Sequence, residues 1–121
     1  MNRISAKRRK LLSWLQPKRR SYLELRLCVV SQLPGRSARI ATDVHEIIGG
    51  RHRQTTERDE RFWLPVERLN HDELQAMPKA AQWALKVLFD SSRFDIAALS
   101  ELPGSVVTAE EVLREIARMR Q

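Results

Sequence analysis

The chain has 121 residues, enough for one domain, and it is 42% apolar and 31% charged, a composition typical of a soluble globular protein. No apolar run approaches the roughly 18 residues that a membrane span requires, and the basic N-terminus lacks the apolar segment of a secretory signal. A single cysteine, Cys28, excludes an intramolecular disulfide. We therefore expect a cytoplasmic protein that does not enter a membrane.

The net charge of +7 is concentrated in the first half of the chain. Residues 1–61 carry a net charge of +9, whereas the remainder carries −2. Clustered Lys and Arg side chains release counterions when they contact phosphates, so this asymmetry predicts a nucleic-acid partner. A solvated basic arm and contact with an anionic membrane surface are the alternatives. The expected DNA contacts in the arm are Lys7, Arg8, Arg9, Lys10, Lys18, Arg19 and Arg20.

The first half of the chain predicts a helix and then a hairpin. Residues 7–16 form a short amphipathic basic helix that we expect to stop at Pro17, because proline disfavours helix at the preceding residue. A second short helix over residues 22–27 is expected to lead into a β-branched strand at residues 28–30. The turn signal Pro34-Gly35 and the run 40–48 then predict an antiparallel return strand.

The second half predicts a surface loop followed by helices. Residues 51–61 contain no apolar side chain, so we expect an exposed loop. A helix over about residues 68–77 carries His71, and with the hairpin it makes a ββα unit. Three further helices are predicted: one from Pro78 to Phe89, one over residues 94–102, and a last one introduced by the capping box Thr108 to Glu111. The predicted fold class is α+β, mostly helical with a small antiparallel hairpin, in three regions: 1–20, 21–104 and 105–121.

Two histidines occupy positions that suggest a shared site. His45 follows Asp43-Val44 at the end of the predicted return strand and precedes Glu46, while His71 follows Asn70 at the start of the next helix. Two imidazoles brought together in this way can bind one divalent cation and so support phosphodiester hydrolysis. A surface pair of His45 with Glu46, and an ordinary helix-start role for His71, are the structural alternatives.

The motifs Asp43-Val44-His45-Glu46, Trp63-Leu64 before His71, and Gln82-Trp83-Ala84-Leu85-Lys86 resemble the phage and prophage branch of the HNH nuclease family, over about residues 27–104. In that branch two Cys-x-x-Cys pairs hold a zinc ion. Here the first pair reads Cys28-Val29-Val30-Ser31 and the second reads Glu67-Arg68-Leu69-Asn70, so no structural zinc is expected and Cys28 is interpreted as a small buried side chain. A zinc set of Cys28, Glu67 and His71 is the alternative.

The resemblance implies a role for each residue of the site. His45 and His71 would bind one divalent cation (Mg, Mn, Ni or Zn), and Glu46 would be the general base. Because alternate strand residues share a face, a second arrangement has Asp43 orienting His45 or joining the metal, with His45 as the base. The asparagine that the family places between its two histidines is absent.

The resemblance implies a metal-dependent DNA endonuclease with little sequence specificity, encoded by a phage or prophage and acting in the bacterial cytoplasm or with the virion. The alternative is a catalytically inactive HNH-like DNA-binding or virion-assembly protein, and a protein partner is compatible with either. Arg51, Arg53, Arg58 and Arg61 are expected to contact phosphates, with local ion pairs as the alternative. Trp63 and Trp83 are interpreted as core, whereas Trp14 and Tyr22 either anchor their helices or stack on bases.

Overall fold

The computed structural model describes residues 5–48, 58–90, 96, 99 and 107–120. Most of these residues are helical, and the two strands pair antiparallel, which confirms the α+β class at this level. The regular elements are α1 (Ala6–Leu23), β1 (Asp43–Glu46), β2 (Trp63–Val66), α2 (His71–Ala76), α3 (Lys79–Phe89) and α4 (Ala109–Met119). None of the described helices has both the length and the apolar character that crossing a bilayer would demand.

Helix α1 does not end at Pro17, so the predicted break there is wrong. The helix begins at the Ser5 cap, whose side chain accepts a hydrogen bond from the Arg8 amide at 3.1 Å, and it continues through the proline to Leu23. An interior proline costs about 3 kcal/mol. Leu15 and Tyr22 lie on either side of it and are both buried in the common core, so tertiary packing holds the helix together. Helix α1 therefore also crosses the boundary predicted at residue 20.

The hairpin pairs different segments from those predicted. Strand β1 pairs with β2, with His45 opposite Leu64 and Glu46 opposite Trp63. The predicted strand at residues 28–30 instead leads into a 3-10 turn, Val30–Gln32, and its expected pairing with the return strand is reduced to one isolated bridge between Leu27 and Ile40. The β-branched residues are buried without forming a strand, because burial and not strand pairing is what their side chains require.

Pro65 lies within β2. The Val66 carbonyl accepts a hydrogen bond from the Thr42 amide, and the Phe62 carbonyl accepts one from the Ile47 amide. The backbone N–H and C=O groups of the even-numbered residues along β2 therefore point toward β1. The nitrogen of Pro65, which carries no hydrogen, therefore points away from β1, so no hydrogen bond between the two strands is lost. Its carbonyl on that side accepts a hydrogen bond from the Val29 amide at 3.0 Å.

The core includes β2, helices α3 and α4, and two residues of α1. All four residues of β2 are buried, and α3 is buried from Ala80 to Lys86. Helix α4 packs Val112 and Ile116 into the same core, and its capping box between Thr108 and Glu111 is present as predicted. The predictions for α3, for the last helix, for buried Cys28 and for the core tryptophans Trp63 and Trp83 are confirmed. The predicted helix over residues 94–102 lies outside the described residues, apart from 96 and 99.

Candidate metal centre

The two predicted histidines lie side by side. His45 is buried on β1, 6% exposed, and His71 is the first residue of α2. The Nδ1 atom of His45 lies 3.3 Å from the Nε2 atom of His71, and the rings meet edge to face with centroids 5.2 Å apart. Strand β1 and helix α2 thus present one ring nitrogen each to the same point.

A hydrogen bond near the base of the hairpin places α2 against β1. The Thr42 hydroxyl accepts a hydrogen bond from the Arg68 amide at 3.0 Å, at the start of the 3-10 turn Arg68–Asn70 that leads into α2. The Thr42 amide in turn donates to the Val66 carbonyl at 3.0 Å. The start of β1, the end of β2 and the entry to α2 are therefore joined, and this connection sets where His71 begins its helix.

Gln82 on α3 fixes the orientation of His45. Its side-chain amide nitrogen donates to the Met77 carbonyl at 3.0 Å, which leaves its oxygen to accept from His45 Nε2 at 2.8 Å. His45 Nε2 therefore carries a proton, and the lone pair of the neutral ring is on Nδ1, facing His71. No role was assigned to Gln82 from the sequence. Its signal was a polar residue within the apolar run of α3, where a buried amide must find partners.

The environment keeps His45 neutral. Burial lowers the pKa of the His45 imidazole below its ordinary value, and the nearby His71 and Lys79 lower it further, against the opposing effect of the Gln82 hydrogen bond. Lys79 is held close by its own hydrogen bond to the Ile47 carbonyl at 2.6 Å. A neutral imidazole with an unprotonated nitrogen is the form that binds metals.

The two candidate carboxylates lie beside arginines. Asp43 Oδ2 is 3.6 Å from the Arg68 guanidinium, and Glu46 Oε2 is 3.7 Å from that of Arg19. Strand alternation puts Asp43 on the same face of β1 as His45 and Glu46 on the other. Over the described ranges, no group of three or more His, Cys, Asp or Glu side chains is placed to hold a metal ion.

The residues of the alternative zinc set have other partners. Glu67 forms an ion pair with Arg39 at 2.8 Å. Cys28 is fully buried, and its sulfur lies 3.7 Å from the side-chain nitrogen of Asn70. Within the described part of the chain, Cys28, Glu67 and His71 do not form a three-ligand group.

The predicted phosphate contacts divide into outward-facing and inward-facing residues. Lys7, Arg8, Arg9, Lys10, Lys18, Arg19 and Arg20 all lie on α1. Of these, Arg19 turns inward, because its guanidinium lies beside Glu46 and 5.6 Å from the centre of the Trp63 ring. Arg61 pairs with Asp59 at 2.6 Å, whereas Arg58 is exposed and lines two clefts. Arg51 and Arg53 lie outside the described residues.

A second buried polar group, which we call the lysine cluster, consists of Lys86, Asp90 and Tyr22. The Lys86 ammonium is fully buried and donates to Asp90 at 2.7 Å and to the carbonyls of Glu60 at 2.8 Å and Trp63 at 2.7 Å. The Tyr22 hydroxyl lies within hydrogen-bonding distance of Asp90 and of the Trp63 carbonyl. Of these residues only Tyr22 had a predicted role, either anchoring its helix or stacking on bases, and its burial fits the anchor. The cluster connects α1, β2 and α3.

In comparisons with protein-family models, with curated proteins and with solved structures, the chain matches none. The interpretation of the site therefore depends on its own geometry and on the motif resemblance.

Proposed function

We propose that the protein is a metal-dependent DNA endonuclease of the HNH type, encoded by a phage or prophage, with the ββα unit of β1, β2 and α2 as its metal centre. The observation that carries this proposal is the 3.3 Å approach of His45 Nδ1 to His71 Nε2. Gln82 supports it, because it places the lone pair of His45 on the nitrogen that faces His71.

The pair fits a divalent cation. Two nitrogens bound to one ion at about 2.1 Å each lie roughly 3 to 3.5 Å apart when the angle at the ion is near tetrahedral. The Nδ1 atom of His45 and the Nε2 atom of His71 already have this separation. Two imidazole ligands favour Ni or Zn over Mg and Mn, which prefer oxygen ligands. Such an ion would supply Lewis-acid stabilisation of the phosphodiester and a lowered pKa for a hydrolytic water.

For the proton acceptor we favour Asp43 over Glu46. Asp43 shares its strand face with His45, whereas Glu46 lies on the opposite face beside Arg19. This choice predicts that Asp43→Asn abolishes cleavage and that Glu46→Gln retains most of it. The reverse pattern would assign the base to Glu46, as the resemblance implies.

The 3.3 Å contact also fits an ordinary hydrogen bond from His71 to His45 without a metal ion. One further observation favours a non-catalytic protein. The described residues contain no third metal-ligating side chain beside the two histidines. On that alternative the protein binds DNA through the basic residues of α1, in virion assembly or as a DNA-binding protein, and cleaves nothing.

A plasmid-nicking assay with Mg²⁺, Mn²⁺, Ni²⁺ or Zn²⁺ separates the two functions. We expect His71→Ala to reduce nicking by roughly 100-fold or more, because a metal ligand is lost. Gln75→Ala is the matched control, since Gln75 is exposed on the same helix and should leave nicking unchanged.

Two outcomes would overturn the nuclease proposal. They are equal nicking by the wild type and His71→Ala, and no nicking with any of the four ions. A salt-sensitive gel shift without nicking would support the non-catalytic alternative. Calorimetric titration with Ni²⁺ gives an independent readout of whether the pair binds metal.

A further inference from the structure

Trp14 is exposed in a protein whose other tryptophans are buried. Its side chain on α1 is 49% exposed, whereas Trp63 is 3% and Trp83 1% exposed. An indole ring exposes a large flat apolar surface, and leaving it in water forgoes the stabilisation that burial would provide. The ring is therefore available to a partner.

The surroundings of Trp14 are basic. With Lys7, Lys10, Leu11 and Arg58 it lines a groove of about 380 Å³, to which no acidic residue among the described ones contributes. The Lys18 ammonium lies 4.2 Å from the ring centre, as a cation–π contact. Lys18 does not line this groove, so the ring keeps a surface that the lysine does not occupy.

Helical spacing arranges these residues in a row. Positions 7, 11, 14 and 18 follow one stripe of a helix, so Lys7, Trp14 and Lys18 succeed one another along α1. Arg58 joins the row from outside the helix and also lines the neighbouring cleft, with Lys18, Arg26 and Tyr22. Because Arg58 lines both clefts, we treat them as one track, which carries the Trp14 ring, five basic side chains and, in the second cleft, Glu60.

We propose that this track binds single-stranded nucleic acid, with an unpaired base stacked on Trp14 and the backbone phosphates against Lys7, Lys10, Lys18 and Arg58. Positive groove walls and an exposed aromatic ring are the two components of single-strand binding sites. Bases in a duplex are already stacked on their neighbours and have no free face for the ring. The track therefore prefers unpaired strands over blunt duplex.

Helix α1, which carries the track, also contacts the strand that carries His45. Arg19 is five residues after Trp14, about 7.5 Å along the helix axis, and it contacts Glu46, on the face of β1 opposite His45. Where the proposed endonuclease function holds, the inference specifies its substrate class as DNA that contains a single-stranded segment. Strand binding itself does not depend on cleavage.

The test measures binding of fluorescently labelled oligothymidylate and of a blunt duplex of the same length, at one salt concentration and with chelator present so that no cleavage occurs. We expect Trp14→Leu to weaken oligothymidylate binding by about 5- to 100-fold and to change duplex binding by less than about twofold. Trp14→Phe retains an aromatic ring and should retain most of the affinity. Leu113→Ala, which trims an exposed apolar residue on α4, is the control and should change neither.

The intrinsic fluorescence gives a second readout. With two of the three tryptophans buried, oligothymidylate should quench the emission of Trp14, and Trp14→Leu should lose that quenching. Unchanged oligothymidylate affinity in Trp14→Leu, or equal losses for single strand and duplex, would overturn the proposal. Because the assay needs no metal, failure of the nuclease proposal in the nicking assay leaves this result unaffected.

Discussion

Two buried polar groups in this protein are built on one stripe of the same helix, yet they differ in kind. Gln82, Lys86 and Asp90 are spaced four residues apart, so they follow one another along α3 and into its C-cap. Gln82 accepts a hydrogen bond from His45 of the histidine pair, whereas Lys86 and Asp90 form the lysine cluster with Tyr22.

The lysine cluster is closed. The three donors of Lys86 are used by the Asp90 carboxylate and by two backbone carbonyls, and Asp90 also accepts from Arg26 at 3.3 Å. Burial lowers the pKa of the Lys86 ammonium, while the charge of Asp90 acts in the opposite direction. Burial and the neighbouring Asp90 both raise the pKa of the Tyr22 hydroxyl. No group in the cluster is left available for a substrate.

The histidine pair is less enclosed than the lysine cluster. Gln82 occupies only the far nitrogen of His45, and His71 is only partly buried, whereas Lys86 is fully buried. The burial of polar groups is therefore not by itself evidence of a functional site. What distinguishes the two groups is that the protein uses every donor of Lys86, whereas the facing nitrogens of the two histidines lie against each other.

The largest expected effect tests whether the lysine cluster is closed and structural. Lys86→Met removes one partner of a buried ion pair, and we expect the free energy of unfolding to fall by about 3–5 kcal/mol. Urea denaturation measures it. Lys10→Met, which changes an exposed lysine, should stay within about 0.5 kcal/mol. A loss no larger than that of Lys10→Met would refute the assignment.

The next-largest effect tests whether Gln82 supports the histidine pair. Gln82→Met keeps the volume and removes the acceptor that orients His45, so Ni²⁺ affinity and nicking should fall by about 10- to 100-fold. Calorimetry gives the affinity directly. Gln75→Met on the exposed face of α2 is the matched control. An unchanged affinity would mean that Gln82 does not orient a metal ligand.

A smaller effect is expected in the pH dependence of stability, because His45 belongs to the histidine pair and not to the lysine cluster. Because the folded-state pKa of His45 lies below the ordinary 6.5, the unfolded chain binds more protons than the native protein as the pH falls. Stability is therefore fully present above about pH 6.5 and declines below it, down to the folded-state pKa of His45. Urea midpoints between pH 7.5 and 5 should decrease for the wild type and decrease less for His45→Gln. Parallel curves would contradict this explanation.

The smallest effect concerns a pair that is not buried. Arg36 and Glu73 form two hydrogen bonds, at 2.9 and 2.6 Å, with side chains 41% and 42% exposed. A double-mutant cycle with Arg36→Ala and Glu73→Ala should give a coupling energy of about 0.2–1 kcal/mol, which salt reduces. A coupling of several kcal/mol would show that exposure is not what separates this pair from Lys86 and Asp90.

Local patterns determined several elements. The capping box of Thr108 and Glu111 and the apolar spacing of α3 involve residues within one or two helical turns, so their consequences can be read without knowing the fold. Placing His45 at the end of a strand and His71 at the start of a helix used the same kind of signal. Their roles in metal binding and catalysis remain predictions.

Long-range contacts decided the rest. The sequence alone marked Pro17 as a break and residues 28–30 as a strand, and in both places buried contacts with distant residues outweighed the local preference. The 3.3 Å approach of the two rings and the orientation that Gln82 gives to His45 join residues 26 and 37 positions apart. Such contacts depend on how β1, α2 and α3 pack together, and only the tertiary structure sets that packing.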